Sequence, residues 1–203
     1  MDIRIEKLSY KNLGKIKDFI GKENIFTKFS RNKLEFYIYS RYYINGEISK
    51  TTHTYAAYLD KQLAGFLLAT IDNKPKQYNS KLRKIYTVLL KLTVRLLNAE
   101  GLSVYHNNRK LMLSELKKNY KTEGELNLLA IEPLMQGTGI GTALLNKFQE
   151  DQKEKNIFLF TDSGPQYKFY IKEGFEQGSN RLIFLENYSK KIALTYFICT
   201  KKL

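Results

Sequence analysis

A chain of 203 residues is long enough to bury one full core and short for two domains. Its single cysteine, Cys199, excludes an intramolecular disulfide framework, and His53 and His106 are too few for a zinc cluster, so no metal is expected. The net charge of +14 suits anionic partners, but Lys, Asn, Ile and Tyr are abundant even in apparent core segments, which makes compositional bias a simpler account than nucleic-acid binding.

In chain order, residues 2–8 loosely alternate Ile3, Ile5 and Leu8 and read as a first strand. Ser9 then caps a helix carrying Leu13, Ile16, Phe19 and Ile20, and Ser30 begins a second helix that runs to about Tyr43. Residues 54–59 and 63–71 flank the short polar connection Asp60, Lys61 and Gln62, which predicts a hairpin. The N-terminus lacks a signal-peptide apolar core. The most apolar long stretch, residues 82–97, is interrupted by Lys84, Lys91 and Arg95, so no membrane span and a soluble cytoplasmic protein are expected.

Residues 72–123 hold twelve basic side chains and more than half of the net positive charge. From Ser80, the positions Leu82, Ile85, Tyr86, Leu89, Leu92 and Leu96 fall at helical spacing, with Lys84, Lys91 and Arg95 on another face. A break at 98–101 precedes a second helix over 107–119. The segment reads as a helical insertion: a wall of a binding site, a protein-docking surface, a membrane-surface element, or a solvated helix pair covering one end of the sheet.

The most informative stretch follows. Residues 126–131 read as a buried strand ending in Glu132-Pro133, and Gln136-Gly-Thr-Gly-Ile-Gly-Thr142 reads as a glycine turn opening a helix. Gly137, Gly139 and Gly141 have no side chains to obstruct a phosphate, and the first N–H groups of a helix point at such a ligand. A Walker loop needs a Lys that is missing between 134 and 146, and the spacing departs from the dinucleotide fingerprint. A further strand at 156–162 leads through Ser163, Gly164 and Pro165 to Phe169-Tyr170-x-x-x-Gly174-Phe175, with Pro165 suited to a helix start and Gly174 to its exit. Residues 181–185 and 192–199 read as a closing strand pair, with Cys199 as a small core residue.

On the Gln136-x-x-Gly139-x-Gly141 turn and the Phe-Tyr-x-x-x-Gly-Phe segment, residues 123–185 resemble the GCN5-related N-acetyltransferases (GNAT). The resemblance implies a mixed α/β (α+β) fold in which a central twisted sheet is flanked by helices, here as a single domain over 1–203 with the 72–123 insertion. It implies acetyl-CoA as cosubstrate, bound along the strand at Leu129, Ala130 and Ile131 and through the turn at Gln136, Gly137, Thr138, Gly139, Ile140, Gly141 and Thr142. It also implies an amine-bearing acceptor that attacks the thioester directly in a ternary complex.

Two catalytic roles follow from the resemblance. Tyr170 matches a tyrosine beside the thioester sulfur in many relatives, where a phenol of pKa about 10 keeps a proton to donate. Glu125 matches the base of similar histone acetyltransferases; an exposed strand-end carboxylate is its bland reading. Glu132 reads as a strand terminator. Where relatives carry Cys-Asn after the later strand, this chain has Pro165 and Gln166, so Gln166 is the candidate contact to the coenzyme arm. A CoA-binding module without catalysis is the alternative, and homodimer formation is open. A polycationic acceptor is disfavoured by the positive charge of the insertion unless local carboxylates such as Glu35, Glu47 or Glu125 converge.

Overall fold

The computed structural model describes the backbone of residues 3–22, 30, 32–78, 80–97, 100–187 and 190–203. Asp2 and the expected break at 98–99 lie outside these residues, as do the side chains of Ile20, Leu185 and Ile192. Seven strands form one sheet: β1 Arg4–Glu6, β2 His53–Leu59, β3 Gln62–Ile71, β4 Gly124–Ile131, β5 Asn156–Asp162, β6 Glu176–Asn187 and β7 Lys190–Lys202, in the order β1-β2-β3-β4-β5-β7-β6. All neighbours are antiparallel except β4 and β5.

The helices are α1 Leu13–Lys22, α2 Lys33–Lys50, α3 Lys81–Leu96, α4 Glu100–Asn119, α5 Ile140–Asp151 and α6 Pro165–Lys172. Five of them divide between the two faces of the sheet, and α3 packs on α2. On one face Ile140, Leu144, Leu145 and Phe148 of α5 and Tyr170 of α6 pack onto Leu67, Leu126, Leu159 and Cys199. On the other, Ile16 and Phe19 of α1 and Ile44 and Ile48 of α2 cover Phe66, Leu68, Leu128 and Ala130. Beside them, Tyr105 and Met112 of α4 cover Phe158, Leu194, Tyr196 and Ile198. Each fully buried aromatic or aliphatic side chain in these layers contributes about 1.5–3 kcal/mol by area transfer.

Several boundaries differ from the sequence reading for local reasons. Ser9 does cap, but it caps a 3₁₀ turn at Tyr10–Asn12, accepting from Lys11 N–H, before α1 begins at Leu13. α2 starts from Asn32, not Ser30, because the Asn32 side-chain oxygen accepts from Glu35 N–H at 2.9 Å. It also continues past Tyr43 to Lys50, since Ile44 and Ile48 supply another buried turn. Asn32→Ala should cost about 1 kcal/mol, a loss of one cap, read as a lowered urea midpoint with unchanged slope. The hairpin connection is two residues, Asp60 and Lys61, both in the left-handed region (φ 47 and 67); Gln62 already pairs with Leu59. The closing strands run longer than 181–185 and 192–199, each over a dozen residues or more.

The 72–123 segment holds the largest departure. α4 is already helical at Glu100, well before residue 107. In α3, Ser80 caps as its position suggests, its Oγ accepting from Arg83 N–H, but the helix buries Leu90 and Val94 against α2. The apolar series Leu82, Ile85, Leu89, Leu92 and Leu96 faces outward.

Candidate active site

The parallel ladder between β4 and β5 covers only Gly124 to Leu126 against Ile157 to Leu159. β4 runs on to Ile131 and β5 to Asp162, so the two strands part beyond this ladder. The cause lies in β4 itself. Leu128 pairs with Leu68 and Leu126 with Ala69, leaving Asn127 as a bulge that bends the strand and exchanges its faces. Leu126 therefore packs under α5, whereas Leu128 and Ala130 pack toward α1 and α2, and Leu129 and Ile131 return to the α5 side.

At the split sits a cavity of about 100 Å³. The β4 segment 126–129 forms one wall and Phe160, Thr161 and Asp162 of β5 another; Gln166 and Tyr170 enter from α6, Tyr43 from α2, Tyr105 from α4 and Tyr196 from β7. It is thus open to groups from both faces of the sheet. Burial pushes the Tyr43 phenol well above its ordinary pKa, with Tyr105 and Glu47 adding to the shift. Tyr196 is raised likewise, first by burial and then by Tyr105. Both stay neutral hydrogen-bonding groups near pH 7.

The glycine turn stands at the start of α5. Gly137 and Gly139 take φ of 80 and 84, a conformation that side-chain-bearing residues rarely adopt, and Gly139 is the N-cap. A Cβ on either would meet nothing within 4 Å, so the space above the turn is open. Gln136, Gly137, Thr138 and Gly139 are exposed, while Ile140 is buried as the first anchor of the helix. The first-turn N–H groups have no acceptor inside the helix and the dipole end favours an anion. Two hydroxyls are engaged within the protein: Thr138 donates to Met135 O and Thr142 to Glu173 Oε1, each at 2.6 Å. Any contact from these two residues to a phosphate would rest chiefly on their main-chain N–H.

Gly141 offers a clean test. An added Cβ would lie 3.5 Å from Phe169 Cζ, an ordinary contact, and Ala is the better helix former by roughly 0.5–1 kcal/mol. Gly141→Ala should therefore leave the melting temperature equal or higher while weakening acetyl-CoA binding about tenfold, measured by calorimetry. Equal affinity would show that no ligand approaches this backbone.

The Phe169-Tyr170-x-x-x-Gly174-Phe175 segment closes α6 by a Schellman motif. Phe175 N–H donates to Tyr170 O and Gly174 N–H to Ile171 O, both at 3.0 Å, and Gly174 takes φ 83. The accompanying hydrophobic contact is made by Tyr170 and Phe175, whose rings meet edge to face at 5.7 Å. Much of the signature is thus explained by helix termination. What termination does not use is the Tyr170 hydroxyl, carried on a side chain that lines the cavity. On the entry side Pro165 takes the first turn of α6, and Gly164 N–H donates to Asp162 Oδ1 at 2.9 Å, placing that carboxylate at the cavity wall.

Glu125 is placed differently. It does not line the cavity. Its two oxygens are taken by cations: Arg109 from α4 on Oε1, and Lys50 from the end of α2 on Oε2 at 3.5 Å. Lys50 also pairs with Glu47 at 2.9 Å, Asn127 Nδ2 donates to Glu47 Oε2 at 3.0 Å, and Thr70 Oγ1 to Asn127 Oδ1 at 2.8 Å. Arg109 in turn donates to Tyr105 Oη at 3.3 Å and lies 4.4 Å over the Phe160 ring. Burial alone would lower the Arg109 pKa, but Glu125, Tyr105, Glu47 and Tyr43 together hold it well above its ordinary value. This network ties α2, α4 and β4 together behind the cavity.

Glu47 and Glu125 do converge, as a polycation site would require, yet Lys50 and Arg109 already match their charge. Glu35 stands in the first turn of α2, more than three turns from Glu47. Arg109, Lys50, Tyr43, Tyr105 and Tyr196 escape notice in the sequence because no local motif marks them; only the Tyr105-x-x-x-Arg109 spacing, one helical turn, hints at a pair. Among the described residues no three His, Cys, Asp or Glu side chains cluster as metal ligands, and no helix is long and apolar enough to cross a membrane.

A mixed sheet split between two parallel strands, with a glycine turn opening a helix at the split, is the architecture to set beside known proteins. Residues 99–177 match the family model of the acetyltransferase (GNAT) domain. Over these residues the chain is similar to the GNAT acetyltransferases. The match begins at the start of α4, so the second helix of the 72–123 segment lies within the family-matched residues.

Solved structures agree in fold. The PaiA N-acetyltransferase of Thermoplasma acidophilum, in complex with coenzyme A, superposes with a TM-score of 0.55 at 16% identity, covering 100% of each chain. The ribosomal-protein-S18-alanine N-acetyltransferase of Escherichia coli gives 0.55 at 11%, covering 98% of this chain and 92% of its own. A GCN5-related N-acetyltransferase of Rhodopseudomonas palustris gives 0.54 at 10%, covering 100% and 97%. No curated protein matches the chain.

Proposed function

We propose that this chain transfers the acetyl group of acetyl-CoA to a primary amine of a small molecule or peptide by direct attack in a ternary complex. The observation that carries the reading is the cavity at the β4–β5 split. There the Tyr170 side chain and the parted edge of β4 meet from one side and a wall of tyrosines from the other. The coenzyme arm would lie along Leu129, Ala130 and Ile131, taking the place of the strand pairing that ends at Leu126, with Gln166 beside it. The pyrophosphate would sit on the main-chain N–H groups of Gln136 to Thr142.

The amine would enter from the α2–α4 side, past Tyr43, Tyr105 and Tyr196, with Asp162 as the wall's carboxylate. As the nitrogen attacks the carbonyl carbon, the C–S bond breaks and Tyr170 gives its proton to the departing thiolate. The proton lost by the amine passes to water at the cavity mouth. Glu125 holds the frame through Arg109 and Lys50, because accepting a proton at either oxygen would displace a cation. The charge match behind the cavity favours a small, weakly charged acceptor over a polyamine.

The same double pairing of Glu125 is what favours the second reading, a CoA-binding module without transfer. One experiment separates the two: acetyl-CoA binding by calorimetry followed by thiol release over a panel of amines, peptides and polyamines. Binding with amine-dependent release supports transfer, and binding without release across the panel supports the module. No binding at high micromolar acetyl-CoA would overturn both.

A further inference from the structure

Away from the cavity, the outer side of α3 is apolar without serving the core. Leu82, Ile85, Val88, Leu89, Leu92 and Leu96 fall within an arc of about 120° at 100° per residue, and each is between 49% and 87% exposed. The inner side, with Leu90 and Val94, already packs on α2. The helix is therefore apolar on two opposite sides, and the outer one stands as a convex ridge. Contiguous exposed patches of this kind mark interaction surfaces.

The charges around the ridge narrow what covers it. Lys84, Lys91 and Arg95 line one edge and Lys81 stands at the leading end. Along the other edge, Arg41 of α2 donates to Tyr86 Oη at 3.5 Å and lies 4.2 Å over the exposed Tyr37 ring. α3 contains five cations and no carboxylate. A second copy of the chain is a poor occupant, because pairing two such helices about a two-fold axis brings their cations together with no counter-charge on either. A convex ridge is also the wrong shape to receive a partner helix in a groove.

We propose that the ridge lies in the interface of an anionic lipid surface, with the leucines in the acyl boundary and the flanking Lys, Arg and Tyr side chains at headgroup level. A flat anionic surface supplies apolar contact along the stripe and negative charge along both edges at once. The inference stands apart from the reading of the cavity, since no residue of the ridge lines it.

The full chain should pellet with vesicles of phosphatidylglycerol and phosphatidylcholine at least about tenfold more than with phosphatidylcholine alone, and raised salt should abolish the difference. Ile85→Ser with Leu89→Ser and Leu92→Ser, and separately Lys84→Glu with Lys91→Glu, should each remove vesicle binding while leaving acetyl-CoA affinity unchanged. These side chains are exposed, so folding does not depend on them, and calorimetry on the same samples checks it. Absence of vesicle binding overturns the proposal, as does binding indifferent to lipid charge. A dimer in solution that the serine variant dissolves would instead assign the ridge to a contact between copies.

Discussion

Tyr170→Phe is expected to lower kcat by about two orders of magnitude or more while leaving the acetyl-CoA dissociation constant and the melting temperature near their original values. The separation rests on how the side chain is divided. Its carbonyl accepts from Phe175 N–H and its ring packs on Phe175 and Phe169, and phenylalanine keeps all three contacts. Only the hydroxyl is lost, and with it, on the proposed general-acid role, the proton for the leaving thiolate. A general-acid role also predicts that acceptors attacking thioesters with better leaving groups suffer less from the substitution. An unchanged kcat would make Tyr170 a helix-terminating residue and nothing more. A lowered melting temperature would show that the hydroxyl serves the fold.

Arg109→Met is expected to destabilise the protein by about 3–5 kcal/mol, because it leaves the Glu125 carboxylate largely buried beside a shortened α4 contact, with Lys50 as its remaining cation. For a domain of this size that corresponds to a melting temperature lower by roughly 10 °C. Replacing both partners, Arg109→Met with Glu125→Leu, should recover most of the loss, since two apolar side chains of similar volume remove the uncompensated charge. Thermal and urea unfolding of the two single variants and the double variant complete the cycle. Additive losses would mean that the two residues do not act as a pair. If Glu125→Gln instead keeps its stability and abolishes transfer, Glu125 is the base and its pairing opens when the acceptor binds.

The element order and both chemical segments were legible without coordinates because each carries a local cause. Gly137 and Gly139 occupy left-handed backbone that a side chain resists, Pro165 suits a first helical turn, and Gly174 with Phe175 ends that helix by fixed hydrogen bonds. The start of α2 was misread because Ser30 and Asn32 are both good caps, and only the Asn32 oxygen meets an N–H of the first turn. α3 misleads for a different reason. Its helical spacing is genuine, but periodicity identifies an apolar face without saying which way it points, and Leu90 and Val94 take the inner side.

By itself, then, the sequence determined that a glycine turn opens a helix after a buried strand, and that a second strand leads to a helix ending at Gly174. These depend on backbone conformations that neighbouring residues set. Only the tertiary structure decided where β4 and β5 part, because the bulge at Asn127 appears only in the pairing with β3. Nor could sequence alone bring Tyr43, Tyr105 and Tyr196 from three separate elements to one cavity, or set Arg109 against Glu125 sixteen positions away. Those contacts join residues whose proximity depends on how the whole sheet is covered, and no local pattern encodes that.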